Sequence, residues 1–169
     1  MPHETTIKTL SKQEEIALLL KKAKRECAEI MNAQHCGFNL CDYSYTTNEA
    51  ISELGLDDEL VHQLVEDYVE QIIKTKQLFI YYISQLQDAK QSNQKLDFIP
   101  LRELAHKNLG VARNLRIKDG QTILERMMKE EDIDCLFDCV KALEVCAIRL
   151  KPECAYDTMK LIKIKSTIF

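Results

Sequence analysis

Apolar residues recur at intervals of three and four along most of the chain, a spacing typical of α-helices with one buried face. The first such stretch covers residues 11–32. It opens with Ser11 and Glu14, which have the spacing of a capping box. Its apolar stripe consists of Ile16, Leu20, Ala23, Cys27 and Ile30.

The same reasoning predicts further helices to the end of the chain, with residues 33–46 as a loop. A capping box of Thr46 and Glu49 starts a short helix that ends at Gly55, and Asp57 caps a long one. Asp119 is expected to cap a later helix, after a break at residues 118–120. The predicted ranges after the short helix are about 58–91, 98–117, 121–129, 133–150 and 152–164.

No stretch alternates in the manner of a half-buried strand, and 4 Gly and 3 Pro are few for the turns of a sheet. The predicted fold is therefore all-α, an antiparallel helix bundle with an N-terminal helical extension. Residues 1–46 would form the extension and its loop, and residues 47–169 the bundle. The apolar stripe of the first helix would be exposed on its own, so this helix is expected to pack on the bundle or to form a homodimer.

Composition narrows the function classes. The 169 residues contain no apolar run long enough to span a membrane, and the net charge of −4 disfavours general nucleic-acid binding. Seven cysteines without an export signal indicate reduced thiols and a cytoplasmic location. The charge is uneven: residues 49–70 carry eight acids and no Lys or Arg, whereas residues 102–118 carry five basic residues and one acid. The basic stretch is a candidate surface for an anionic partner, or simply a solvated helix face.

The predicted helix over 98–117 carries the most informative pattern. At about 100° per residue, Leu101, Leu104, Asn108, Val111, Ala112 and Leu115 share one side, which should face the core. His106 points away from that side, and Gly110 is the next residue on the exposed face. Arg102 lies one turn before His106 and Arg113 two turns after it. A partner could approach the exposed imidazole closely over the glycine, and the flanking arginines could hold a phosphoryl group. An accidental surface histidine is the alternative.

Residues 105–115, Ala-His-Lys-Asn-Leu-Gly-Val-Ala-Arg-Asn-Leu, resemble the signature of histidine-containing phosphotransfer (HPt) domains. That signature has an apolar residue two positions after the His, Lys three after, Gly four after, Ala or Ser six after and Leu nine after. Residues 54–60 resemble the family's usual entry into its first bundle helices, and the resemblance covers roughly residues 47–150. It implies a four-helix core and transfer of a phosphoryl group between His106 and the aspartate of a response-regulator receiver domain. The receiver would supply the metal ion, so no cofactor is expected on this chain.

Two positions depart from the family pattern. Asn108 replaces the apolar residue and Leu109 replaces the Lys that normally lies beside the phosphoryl group. By the helical wheel, Leu109 should lie near His106 on the exposed side, where it would contact a partner. Arg102, Lys107 or Arg113 could replace the missing Lys. The alternative is a degenerate HPt-like adaptor that docks receiver or histidine-kinase domains without phosphotransfer.

The remaining His and Cys residues give weaker indications of a metal site. His35, Cys36 and Cys41 share a predicted loop, and Cys135 and Cys139 lie one turn apart, but their spacing fits no common zinc motif. No metal site is therefore predicted, although a metal- or thiol-dependent sensor stays open. His3 and His62 have no organised sequence neighbours and are expected to be solvated.

Overall fold

The computed structural model describes residues 9–32 and 44–168. In these two segments every regular element is an α-helix, so the predicted all-α fold class is confirmed. The helices are α1 Lys12–Asn32, α2 Asn48–Leu54, α3 Asp58–Gln91, α4 Ile99–Asn114, α5 Lys118–Met127, α6 Ile133–Leu150 and α7 Pro152–Ile168. None of them is long and apolar enough to cross a membrane.

Side-chain caps fix several helix starts. The backbone N–H of Glu14 donates to Ser11 Oγ over 3.2 Å, as the predicted capping box requires. The N–H of Leu60 donates to Asp57 Oδ1 over 2.7 Å, which confirms Asp57 as the cap of α3. Gly55 ends α2 in the left-handed conformation, with φ of 65°, a geometry that glycine adopts without a Cβ penalty.

One continuous core joins the helices. The central contact is between α3 and α6, and α1 packs across α6 and α7 while α5 packs along α4. Ala23, Cys27 and Ile30 of α1 are buried in the same cluster as the α3, α4, α5 and α6 side chains. The prediction that α1 packs on the bundle is therefore confirmed, and the buried residues of α1 share one core with the helices that follow the 46/47 boundary.

Two predicted helix starts are wrong. The N-cap of α2 is Thr47, without a side-chain cap hydrogen bond, so Thr46 and Glu49 do not form the expected box. The start of α5 is Lys118, which places Asp119 and Gly120 inside the first turn instead of before it. Glycine suits the packing there, since a Cβ at position 120 would clash with the hydroxyl oxygen of Tyr68.

Candidate functional site

The buried side of α4 determines where its functional side chains point. Its buried members are Leu101, Ala105, Asn108, Leu109 and Ala112, followed by Leu115 just after the helix. His106 is exposed, as predicted. The first α4 turn is fixed by Asp97, whose Oδ1 accepts from the N–H of Ile99 over 3.1 Å, and by Pro100 near the helix start. The last turn is held by Tyr45, whose hydroxyl donates to the Leu115 carbonyl over 2.7 Å.

Asn108 occupies a core position, where it is 2% exposed. Its Nδ2 donates to the carbonyl oxygen of Leu104 over 2.9 Å, one turn earlier on the same helix. A buried amide without a partner would cost about 1–3 kcal/mol, and this bond removes part of that cost. The expectation that Asn108 is buried and finds a hydrogen bond is confirmed.

Leu109 was expected on the exposed side of α4 and Val111 on the buried side, and the structure shows the opposite. Leu109 is 1% exposed, whereas Val111 is 43% exposed. α5 packs along α4, and Leu109 belongs to the same buried cluster as Ile123 and Leu124 of α5, so the core includes the Leu109 side of α4. Leu109 therefore contacts the core and neither a phosphoryl group nor a docking partner, and it leaves the set of candidate site residues.

Gly110 leaves open space beside His106. A Cβ placed at Gly110 would have no heavy atom of its surroundings within 4 Å, so no packing contact of the described chain requires glycine here. Glycine in a helix interior costs about 1 kcal/mol relative to alanine. The absence of a side chain instead lets another molecule approach the α4 backbone one turn above His106.

Both arginines beside His106 are held by carboxylates. Arg113 Nη2 lies 3.1 Å from Glu125 Oε1 on α5. Arg102 Nη2 lies 3.8 Å from Glu131 Oε1, in the segment between α5 and α6, and its guanidinium stacks 4.9 Å from the Phe98 ring centroid. Both arginines thus lie on the His106 side of α4. To bind an anion, each guanidinium must either break its ion pair with the carboxylate or contact the anion and the carboxylate together.

Most of the remaining basic stretch is also neutralised. Arg116 pairs with Glu49 and Glu53 of α2, and Lys118 Nζ lies 3.6 Å from Glu49 Oε2. Lys107 is exposed and has no ion pair with a described residue, but it projects about 100° around the helix from His106. Of the five basic residues in this stretch, Arg116 and Lys118 thus pair with the acidic stretch that precedes it, whereas Arg102 and Arg113 pair with carboxylates that follow it.

The cysteines do not form a metal centre in the described part of the chain, where no three metal-ligating side chains cluster. Cys135 is disulfide-bonded, so the expectation of reduced thiols is wrong at this position. Burial raises the pKa of Cys139 to about 12, which disfavours the thiolate that zinc needs. His3, His35, Cys36 and Cys41 lie outside the described residues.

His62 has the organised neighbours that sequence reasoning missed. Its Nε2 lies 3.2 Å from Asp58 Oδ1, one turn earlier on α3, and its Nδ1 lies 3.1 Å from Lys151 Nζ. The i, i+4 spacing of Asp58 and His62 was visible in the sequence, whereas the approach of Lys151 depends on the packing of α3 against the end of α6. The prediction that His62 lacks organised neighbours is therefore wrong, while its side chain is 44% exposed and remains partly solvated.

No protein-family model, curated protein or solved structure matches the chain. The functional argument therefore depends on the residues of α4 and their surroundings.

Proposed function

We propose that this chain is a histidine phosphotransfer protein of a two-component phosphorelay, which exchanges a phosphoryl group between His106 and the aspartate of receiver domains. The observation that carries the proposal is the exposed His106 ring on α4 with open space over Gly110 one turn later. A receiver needs close access to the imidazole, and a glycine at the next turn gives it that access. A cytoplasmic location would fit such a relay.

The transfer is a substitution at phosphorus. A neutral imidazole nitrogen of His106 attacks the phosphorus of the receiver's aspartyl phosphate, so that an N–P bond forms as the O–P bond to the aspartate breaks. The aspartate leaves as a carboxylate, and the other ring nitrogen carries the imidazole proton. The family resemblance assigns the metal ion to the receiver, which leaves this chain to supply an oriented ring and a docking face.

The exposed face of α4 has the mixed character of a docking surface. Ile99, His106 and Arg113 follow one another at intervals of seven residues, or about two turns, and so lie on one side of the helix. Ile99 is 63% exposed, which places an apolar contact at one end of the face and a cation at the other. A histidine kinase with a receiver-like surface is a further candidate partner.

An antiparallel four-helix core of the HPt kind is part of the proposal. The helices that would form it are α3, α4, α5 and α6, since each contributes buried side chains to the common core. In this arrangement α4 presents His106 outward from its middle, and α1 and α7 pack outside the four.

A degenerate adaptor that docks receivers or kinases without phosphotransfer is the second candidate. Two observations favour it: Leu109 stands where the family has Lys and is buried, and Arg102 and Arg113 are paired with carboxylates. Homodimerisation through α1 is a less direct option, because the apolar stripe that suggested it is covered by α6 and α7.

One experiment separates the two candidates. Receiver domains phosphorylated by a small phosphodonor are mixed with wild-type protein or with His106→Gln, and both binding and loss of receiver phosphate are followed. Phosphotransfer predicts that His106→Gln still binds but no longer accelerates phosphate loss. Lys141→Gln, an exposed change on α6, is the control that should behave as wild type. Equal phosphate loss with wild type and His106→Gln would exclude transfer through this residue.

A further inference from the structure

A cavity of about 490 Å³ opens on a part of the molecule to which α4 contributes no lining residue. It lies between α1, residues 44–48 before and at the start of α2, the first half of α3, and the end of α6. Its volume falls in the range of about 300–1,000 Å³ that small-molecule sites occupy. Nothing in the proposed phosphotransfer uses this cavity.

Three cationic side chains from separate elements line it. Lys24 comes from α1, Arg149 from the last turn of α6, and Lys151 directly follows α6. Lys24 is exposed and has no ion pair with a described residue. Arg149 Nη1 also donates to Cys27 Sγ over 3.4 Å. Cations that share a cavity repel one another, and an anion bound between them would reduce this repulsion.

His62 orients one of these cations. Asp58 lies at Nε2, and in the tautomer that carries its proton on this nitrogen, Nδ1 is an acceptor. Lys151 Nζ then donates to Nδ1 over 3.1 Å. The chain Asp58–His62–Lys151 therefore fixes the ammonium group of Lys151 in the cavity wall, and two further ammonium protons remain to bind a ligand.

The remaining lining residues of the cavity include both polar and apolar side chains. Asp119 is the one carboxylate among the lining residues, and burial raises the pKa of its carboxyl group. Hydroxyl groups come from Ser44, Thr46 and Thr47. The apolar surface is supplied by Leu20, Leu150 and the ring of Tyr45.

We infer that this cavity is a binding site for a small phosphomonoester, whose phosphate contacts Lys24, Arg149 and Lys151 and whose carbon body packs on Leu20, Leu150 and Tyr45. Arg149 can offer two parallel N–H donors to phosphate oxygens, and the lysines add point charges. Three cations against one carboxylate match the charge of a phosphomonoester near neutral pH.

The test uses phenyl phosphate as the probe and the full chain as the protein. Amide chemical shifts of residues 44–48 and 149–151 are followed during titration, with phenol and inorganic phosphate as comparison ligands. Phenyl phosphate should perturb these amides and bind more tightly than either comparison ligand. Lys24→Gln should weaken its binding about tenfold, the effect of losing one charge-assisted hydrogen bond. Lys141→Gln, an exposed lysine change on α6, should leave binding unaltered.

The site is refuted if phenyl phosphate perturbs other regions only, or if Lys24→Gln and Lys141→Gln bind it equally well. Binding of phenylacetate as tight as that of phenyl phosphate would refute the phosphomonoester in favour of a general carboxylate site. Because Lys24 is exposed, its replacement should not affect folding, and a Lys151→Gln variant gives a second, independent reading. His106→Gln should bind the probe as wild type does, which separates this site from the phosphotransfer proposal.

Discussion

Arg113 on α4 and Glu125 on α5 form an ion pair, with 3.1 Å between Nη2 and Oε1, two turns beyond His106. Glu125 also accepts a hydrogen bond from Gln121 over 3.2 Å, so the carboxylate is fixed on α5. The arginine best placed to replace the family's Lys is therefore already engaged by a neighbouring helix.

Releasing Arg113 should strengthen phosphoryl binding. In Glu125→Gln the guanidinium is no longer neutralised, so the lifetime of phosphohistidine at His106 should increase, while Arg113→Ala should shorten it. The lifetimes are measured from the decay of label after removal of the receiver. Equal lifetimes in both variants and wild type would show that Arg113 does not contact the phosphoryl group.

The same ion pair predicts a pH dependence of stability. Hydrogen bonds from Gln121 and Arg113 hold the pKa of Glu125 below its ordinary value. The pair therefore stabilises the fold above the ordinary glutamate pKa, and this contribution is lost as pH falls through the lowered value. Because the pair is solvent-exposed, it should be worth under about 1 kcal/mol. Urea unfolding should show wild type more stable than Glu125→Gln at pH 7, with the two converging toward pH 3; a constant difference would contradict the pairing.

Gly110 and Gly120 should respond oppositely to alanine. In Gly110→Ala the added methyl group enters open space on a helix, so the fold should be stabilised by up to about 1 kcal/mol. The same methyl group should slow phosphotransfer because it obstructs the approach of the receiver.

In Gly120→Ala the added methyl group would clash with the Tyr68 hydroxyl, so the fold should be destabilised. Tyr68→Phe should partly restore the stability. Urea unfolding and transfer rates check both; unchanged transfer in Gly110→Ala would mean that the partner does not approach over this residue.

Leu115 and Val111 provide a matched pair for the buried side of α4. Leu115 is 3% exposed, so Leu115→Ala should cost about 2–5 kcal/mol. Val111 lies on the exposed side, so Val111→Ala should lower the free energy of unfolding by less than about 1 kcal/mol. Chemical denaturation measures both, and similar losses at the two positions would show that the helix is rotated from the arrangement described.

Leu109→Lys should destabilise the protein instead of restoring the family pattern. Its side chain is buried against the core, and a lysine there must either bury a charge or displace packed side chains. We expect a loss of about 2–5 kcal/mol, against under about 1.5 kcal/mol for Leu109→Met. A lysine variant that unfolds like wild type and keeps phosphohistidine longer would indicate that position 109 reaches the surface.

Periodicity predicted the helices well because apolar spacing and caps are local features. Asp57 and Gly55 mark their helix ends as expected. Asp119 was misassigned because a cap-like residue can also lie in the first turn, which is its place here since α5 begins at Lys118.

The site was predicted less completely because it depends on packing between helices. A helical wheel gave the direction of His106 but placed Val111 on the core side and Leu109 on the exposed side, the reverse of the structure, because a wheel does not show where the neighbouring helices pack. The carboxylate partners of Arg102 and Arg113 and the Lys151 partner of His62 come from other segments and were likewise not visible in the spacing of residues.

The most direct test of the account is the location of the phosphoryl group after incubation with a phosphorylated receiver. Peptide mass spectrometry and acid lability of the label identify the residue that carries it. The account predicts an acid-labile phosphoryl group on His106 that returns to the receiver aspartate when unphosphorylated receiver is added. Tight receiver binding with no phosphate on His106 would contradict phosphotransfer and leave the adaptor as the function.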